Sequence, residues 1–189
     1  AARVALAGRV DALVTLLHTH AEHEDTNVQP AIEKVLPDAA VRIVGDHDLL
    51  DRRIGDIHEM SVAFGATAGA EVRSVGQELY LELASFTSAY LEHQNLEERV
   101  VMPALAGALG PEAVLGIHGA IISSIPPADM AASLAIMIPA MNVDDRTELL
   151  GGMRAGAPAE VFAGVWGLVG SVLTPADVAA VAARLGIDA

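Results

Sequence analysis

Two stretches of this 189-residue chain repeat one pattern of donor atoms. His20-Ala21-Glu22-His23-Glu24-Asp25-Thr26-Asn27-Val28-Gln29-Pro30-Ala31-Ile32 aligns without a gap on His93-Gln94-Asn95-Leu96-Glu97-Glu98-Arg99-Val100-Val101-Met102-Pro103-Ala104-Leu105. A one-residue insertion extends the match to Pro37-Asp38-Ala39 and Pro111-Glu112-Ala113, each opening a segment with a further histidine, His47 or His118. Residues four apart share a face of an α-helix, so His20 with Glu24, and His93 with Glu97, each present an imidazole beside a carboxylate. Leu13, Leu16 and Leu17 before the first pair, and Phe86, Tyr90, Val100 and Val101 around the second, direct those faces towards apolar packing. An unpaired carboxylate removed from water costs several kcal/mol or more, and no Lys or Arg shares either face. A bound cation would offset that cost.

The duplicated unit supplies four histidines, His20, His47, His93 and His118, and two glutamates, Glu24 and Glu97. Such a set suits two metals that share two carboxylates. The chain has no cysteine, which excludes disulfides, thiolate zinc sites, cysteine-ligated iron–sulfur clusters and cysteine nucleophiles. Imidazole with carboxylate suits iron, manganese or zinc; a closed structural zinc site needs only about four ligands, so a duplicated, carboxylate-bridged set fits two irons better. None of the seven histidines follows a Glu by three residues, as the Glu-x-x-His of ferritin-like di-iron proteins requires.

The elements that must position these groups are helical. Aromatics make up 3% of the chain, alternating strand patterns are absent, and Ala, Leu and Glu recur at helical spacing. Pro30 and Pro37, the Gly65 to Gly69 stretch, Pro103 with Gly110-Pro111, and Pro126-Pro127 divide the first two-thirds into helices near 4–29, 38–64, 71–107 and 111–124. Beyond Pro127, breaks at Pro139, Gly151-Gly152 and Pro158, and a Thr174-Pro175 helix start, predict three or four short helices. The expected organisation is a bundle over residues 1–125 and a helical extension over 126–189 packed on it.

The repeated His-x-x-x-Glu followed by Pro, with Asp46-His47 opening the intervening helix, resembles the hemerythrin-like, or HHE cation-binding, family over roughly residues 10–124. That resemblance implies an up-down four-helix bundle. It also implies an oxo- or hydroxo-bridged pair of irons with His20, His47, His93 and His118 as terminal ligands and Glu24 and Glu97 as bridges. Oxygen-carrying members use five histidines, including a His-x-x-x-His helix; here the even helices read His47-x-x-x-Asp51 and His118-x-x-x-Ile122. His23, Asp51 and Tyr90 are candidates for a supporting role at the metals. Their plainer readings are a surface histidine, a solvated carboxylate beside Arg52 and Arg53, and a packed tyrosine. His18 and His58 are assigned to the surface or a helix flank.

Open coordination positions point to hydrogen peroxide, O2 or nitric oxide as reactants. Lacking the fifth histidine, the centre is expected to turn peroxide over in a catalase-like reaction connected with oxidative stress, rather than to store oxygen. The alternative is a module that binds or senses O2, NO or iron without turnover, and a third possibility is an interaction protein with incidental histidines. With 25 acidic against 11 basic residues and a net charge of −14, nucleic acid and anionic membranes are not expected partners. The longest uncharged apolar stretch is interrupted by Gly and Pro, and Ala1-Ala2-Arg3 opens no secretory signal, so a cytoplasmic location is expected. A homodimer through the extension is a further expectation.

Overall fold

The structure, a computed structural model, describes residues 2–187. Its elements are helical throughout, and no strand occurs among the described residues. Two compact units are present, Ala1–Ser124 and Ile125–Ala189.

In the first unit, α1 (Ala2–Asn27) leads through a short α2 (Gln29–Val35) into α3 (Pro37–Ala66). A 3₁₀ turn, Gly69–Glu71, precedes α4 (Val72–Leu96), which continues through a π-helical turn, Glu97–Val101, into α5 (Met102–Leu109) and then α6 (Pro111–Ser124). Helix α3 packs along both α1 and α4, antiparallel to each. Its C-terminal end receives the Arg3 side chain, which donates to the Thr67 carbonyl at 2.8 Å and lies over the Phe64 ring. At the other end His47 meets Asp25 of α1 and His93 of α4.

The buried residues of α3 are Ala40, Ile43, His47, Leu50, Ile54, Ile57 and Ser61, and those of α4 are Leu79, Phe86 and His93. These spacings of three, four and seven are the signature of helices packing along a common seam. Histidines 47 and 93 therefore occupy positions that the pattern reserves for core side chains. Above them lies a core of Val10, Leu50, Ile54, Ile57, Leu79 and Phe86; below them lies a second, of Ile32, Ala40, Ile43, Val101 and Leu105.

Both repeats break their helix at the same place for the same reason. Pro30 and Pro103 carry no N–H for the carbonyl four residues back, and their rings crowd it. The first copy responds by ending α1 at Asn27, whose side chain donates to the His23 carbonyl at 2.9 Å. The second widens into the π-turn, in which the Met102 N–H donates to Glu97 O, five residues back. The π-turn shifts the register, so that Val101 is buried and Val100, expected inside, faces solvent.

Helix α6 has 14 residues against 30 in α3, packs on α5 and α1, and contributes no buried side chain. Gly110, at φ +83°, and Pro111 start it, and Pro126-Pro127 follow its end. No single helix among the described residues is long and apolar enough to cross a membrane.

The second unit comprises α7 (Pro127–Ala140), α8 (Val143–Gly156), α9 (Ala159–Val172) and α10 (Pro175–Leu185) around a core of its own, Leu134, Ile138, Leu150, Val169 and Val181. Thr174 caps α10 by accepting from the Asp177 N–H, and Pro175 occupies its first turn. Arg146 is buried with its charge spent on this unit. Its guanidinium donates to the Ile138 carbonyl at 2.8 Å, the Pro139 carbonyl at 3.1 Å and Asp177 at 3.2 Å, satisfying the otherwise orphaned end of α7. Replacing Arg146 with Met, which fills similar space but leaves these acceptors unpaired, is expected to cost about 1–3 kcal/mol. Thermal unfolding followed by circular dichroism tests it, and an unchanged melting profile would contradict the role.

Candidate metal centre

Because the two core seams end in histidine, the imidazoles of α3 and α4 are pressed together. His47 Nε2 and His93 Nε2 lie 3.1 Å apart, with the rings edge to face at 4.8 Å between centroids. Glu24 and Glu97 flank them from α1 and from the start of the π-turn. Glu97 Oε1 is 3.5 Å from His93 Nε2, and Glu24 Oε2 is 3.6 Å from His47 Nε2. One donor atom from each of Glu24, His47, His93 and Glu97 lies within 4.8 Å of all the others, a group that could hold a metal ion. His20 joins its rim, its Nε2 3.3 Å from Glu24 Oε1.

The protonation states suit a cation. Asp25 Oδ1 lies 2.8 Å from His47 Nδ1, which fixes the ring proton on Nδ1 and leaves the Nε2 lone pair facing the group. Asp46 lies behind His93, 3.6 Å from its Nδ1, too far for the hydrogen bond that Asp25 makes to His47, and Nδ1 is buried without a hydrogen bond. Burial lowers the pKa of His93, with His47 adding to the effect, and burial likewise lowers that of His20, so both imidazoles are neutral at pH 7. Glu24 is pushed up to about 7 by burial, against the pull of His47. Glu97 is also raised to about 7, by burial and by the nearby Glu24. No Lys or Arg pairs with either carboxylate among the described residues, and Glu24 Oε2 is buried without a hydrogen bond.

The spacing of these donors suits a metal ion. Two nitrogens bound to one ion at about 2.1 Å stand about 3 Å apart, close to the His47–His93 separation. Imidazoles, two carboxylates and no thiolate are a donor set for iron, manganese or zinc.

Of the residues singled out in the sequence, His20, Glu24, His47, His93 and Glu97 are brought together. His118 is exposed on α6 and lies outside the group, because that short helix packs on α1 and α5 and not along the seam of α3. His23 accepts or donates at Nδ1 with Ser124 Oγ, 3.1 Å away, tying α1 to the end of α6. Asp51 pairs with His18. His58 lies 3.5 Å from Asp11. Tyr90 stacks on Phe86, and burial, helped by Glu24 and Glu97, raises its hydroxyl to about 12, so it remains a hydrogen-bond donor. The sequence reading missed Asp25 and Asp46 as supports of the imidazoles. Asp25 had a signal, the second acidic position shared by both repeats; Asp46 acts across to another helix, and its neighbour His47 gave no hint of that.

Two cavities open on the group. A recess of about 30 Å3 is walled mainly by Leu17, Leu50, Ile54, Phe86 and Tyr90, with His18 and Asp51 at its edge. A larger one, about 240 Å3, lies on the other side, towards Val28, Gln29, Ile43 and Met102. No family model, curated protein or solved structure matches the chain.

Two expectations follow from this geometry. Asp25→Asn frees the His47 ring to turn, and metal affinity measured by calorimetric titration is expected to fall about 10- to 100-fold; an unchanged affinity would mean that Asp25 does not orient the ligand. The second concerns pH. In the metal-free protein Glu24 and Glu97, at about 7, hold protons more tightly than unfolded carboxyls near 4.5. Between those values the folded state binds more protons, so their contribution to stability falls as pH rises through the window. The lowered histidines act in the opposite sense below 6.5. The double variant Glu24→Gln/Glu97→Gln is therefore expected to gain stability over wild type as pH rises from 5 to 7 in chelator. Metal uptake by wild type, which must displace those protons, should strengthen over the same range. A stability difference independent of pH would contradict the raised values.

Proposed function

We propose that the protein is a hemerythrin-like, non-haem di-iron protein that disproportionates hydrogen peroxide. The observation that carries this proposal is the split of the Glu24 carboxylate, one oxygen beside His47 and the other beside His20. A carboxylate so placed suits two neighbouring cations, one among His47, His93 and Glu97 and the other next to His20. The up-down bundle of the proposal has α1, α3, α4 and the short α6 as members, with His118 contributing nothing from its present position.

Bound iron would supply open coordination positions and the capacity to exchange electrons with peroxide. One peroxide is oxidised to O2 while a second is reduced to two waters, so the balance needs no outside reductant. The chain's own residues prepare that chemistry. Asp25 holds His47 in the tautomer that presents Nε2, the two core layers pack on either side of the pair, and Tyr90 offers a proton-bearing group at the wall of the small recess. The alternative, binding or sensing of O2 or NO without turnover, draws support from that same recess, whose walls are mostly apolar and whose size suits a diatomic molecule.

Iron analysis combined with an oxygen electrode tests the proposal. The expected result is close to two irons per chain and O2 release on addition of peroxide, with iron content lost in Glu24→Ala and retained in Glu22→Ala, which changes an exposed residue of α1 that lines neither cavity. Iron without O2 release would favour the binding module, and zinc without iron would contradict both.

A further inference from the structure

We propose that the larger cavity is the route by which a hydrated divalent cation reaches the His/Glu group, and that Glu98 at its mouth captures the ion before the histidines take it. The inference rests on the reading of that group as a metal site; it requires neither iron nor turnover of peroxide.

A donor group at the level of the core must be filled from outside, and the two cavities differ in what they can pass. A divalent ion in water travels with about six waters and sheds them reluctantly. Each water needs about 10–15 Å3 of cavity space, so six need roughly 60–90 Å3. The recess offers about 30 Å3 and the larger cavity about 240 Å3. Leu17, Leu50, Ile54 and Phe86 in the wall of the recess carry no donor atom to replace the waters an ion would lose there.

The larger cavity runs from the surface inward, since its lining includes exposed Glu98 and Met102 as well as buried Ile32, Ile43 and Val101. Its charged side chains are Glu24, Glu97 and Glu98, and no Lys or Arg lines it among the described residues. Glu98 is exposed, Glu97 half-buried and His47 buried, so donors follow one another from solvent to the metal group. The mouths also differ in their carboxylates. Asp51, at the edge of the recess, is already paired with His18. The arginine pairs among the described residues engage Asp46, Glu82, Asp177 and Asp144, which leaves Glu98 free, and Arg99 beside it in sequence does not line the cavity. An unpaired carboxylate on a cation's path raises the local ion concentration and with it the rate of entry.

The test mixes the metal-free full chain with cobalt(II) chloride in a stopped-flow instrument and follows the visible absorption of the bound ion. Wild type, Glu98→Gln, Glu98→Asp and Asp51→Asn are compared. Glu98→Gln is expected to slow uptake about three- to tenfold at low salt. The difference should shrink at about 1 M salt, where charges are screened beyond about 3 Å. Cobalt content and final spectrum should match wild type, and Glu98→Asp, which keeps the charge, and Asp51→Asn should load at close to the wild-type rate. Uptake by Glu98→Gln at the wild-type rate, or equal slowing by Asp51→Asn, would overturn the inference. Loss of bound cobalt in Glu98→Gln would also overturn it, because Glu98 would then be a permanent ligand. A wild-type spectrum reproduced by His47→Ala/His93→Ala would sink the metal centre and the route together. A chain that loads cobalt by way of Glu98 but, loaded with iron, releases no O2 from peroxide would sink the catalytic proposal alone.

Discussion

Everything in the first unit is arranged around two imidazoles held 3.1 Å apart where core side chains would otherwise be. An ordinary seam would place leucine or isoleucine at positions 47 and 93, extending the two apolar layers into one. Instead the layers are interrupted by polar groups, and two carboxylates with no cationic partner are drawn in beside them. Removing one partner from such a cluster leaves uncompensated polarity, and burial already shows its effect in carboxyls raised to about 7. A cation is the one addition that satisfies all the donors at once, accepting the imidazole lone pairs and neutralising the carboxylates together.

The prolines contribute to this arrangement through the backbone. Pro30 and Pro103 end or widen the helix one to two turns beyond the glutamate, and in the second copy the π-turn begins at Glu97 itself. Such widenings alter which side chain faces inward, as the exchange of Val100 for Val101 shows. Glu97, Val101 and Met102 at that turn line the 240 Å3 cavity together with Glu24, Val28 and Gln29 of the first copy. Donor spacing and backbone irregularity therefore belong to one device, which explains why Glu and Pro recur at a fixed separation.

The helical class, the breaks and the five converging donors were legible because they depend on local rules: proline chemistry, residues four apart on one face, and a repeat that can be aligned by eye. His118 was not, since its placement depends on how a 14-residue helix packs, and the repeat's symmetry holds in α1–α2 and α4–α5 but fails between α3 and α6. Asp46 was hidden for a related reason, because it comes near His93 only through the packing of α3 against α4. Val100 was misplaced since a π-turn cannot be read from hydrophobic periodicity. The extension's own core of Leu134, Ile138, Leu150, Val169 and Val181 was likewise less visible than the apolar character of its helices, which shows how much burial a helix needs and not which partner supplies it.

X-ray absorption at the iron K edge of the loaded protein bears most directly on the central claim. A chain with a net charge of −14 will bind cations loosely at many surface carboxylates, so metal content alone does not locate the ion. Binding at the buried group requires imidazole scattering from His47 and His93 in the iron environment, lost in the double variant His47→Ala/His93→Ala while surface-bound metal persists. A spectrum with oxygen neighbours only, unchanged in that variant, would contradict the account.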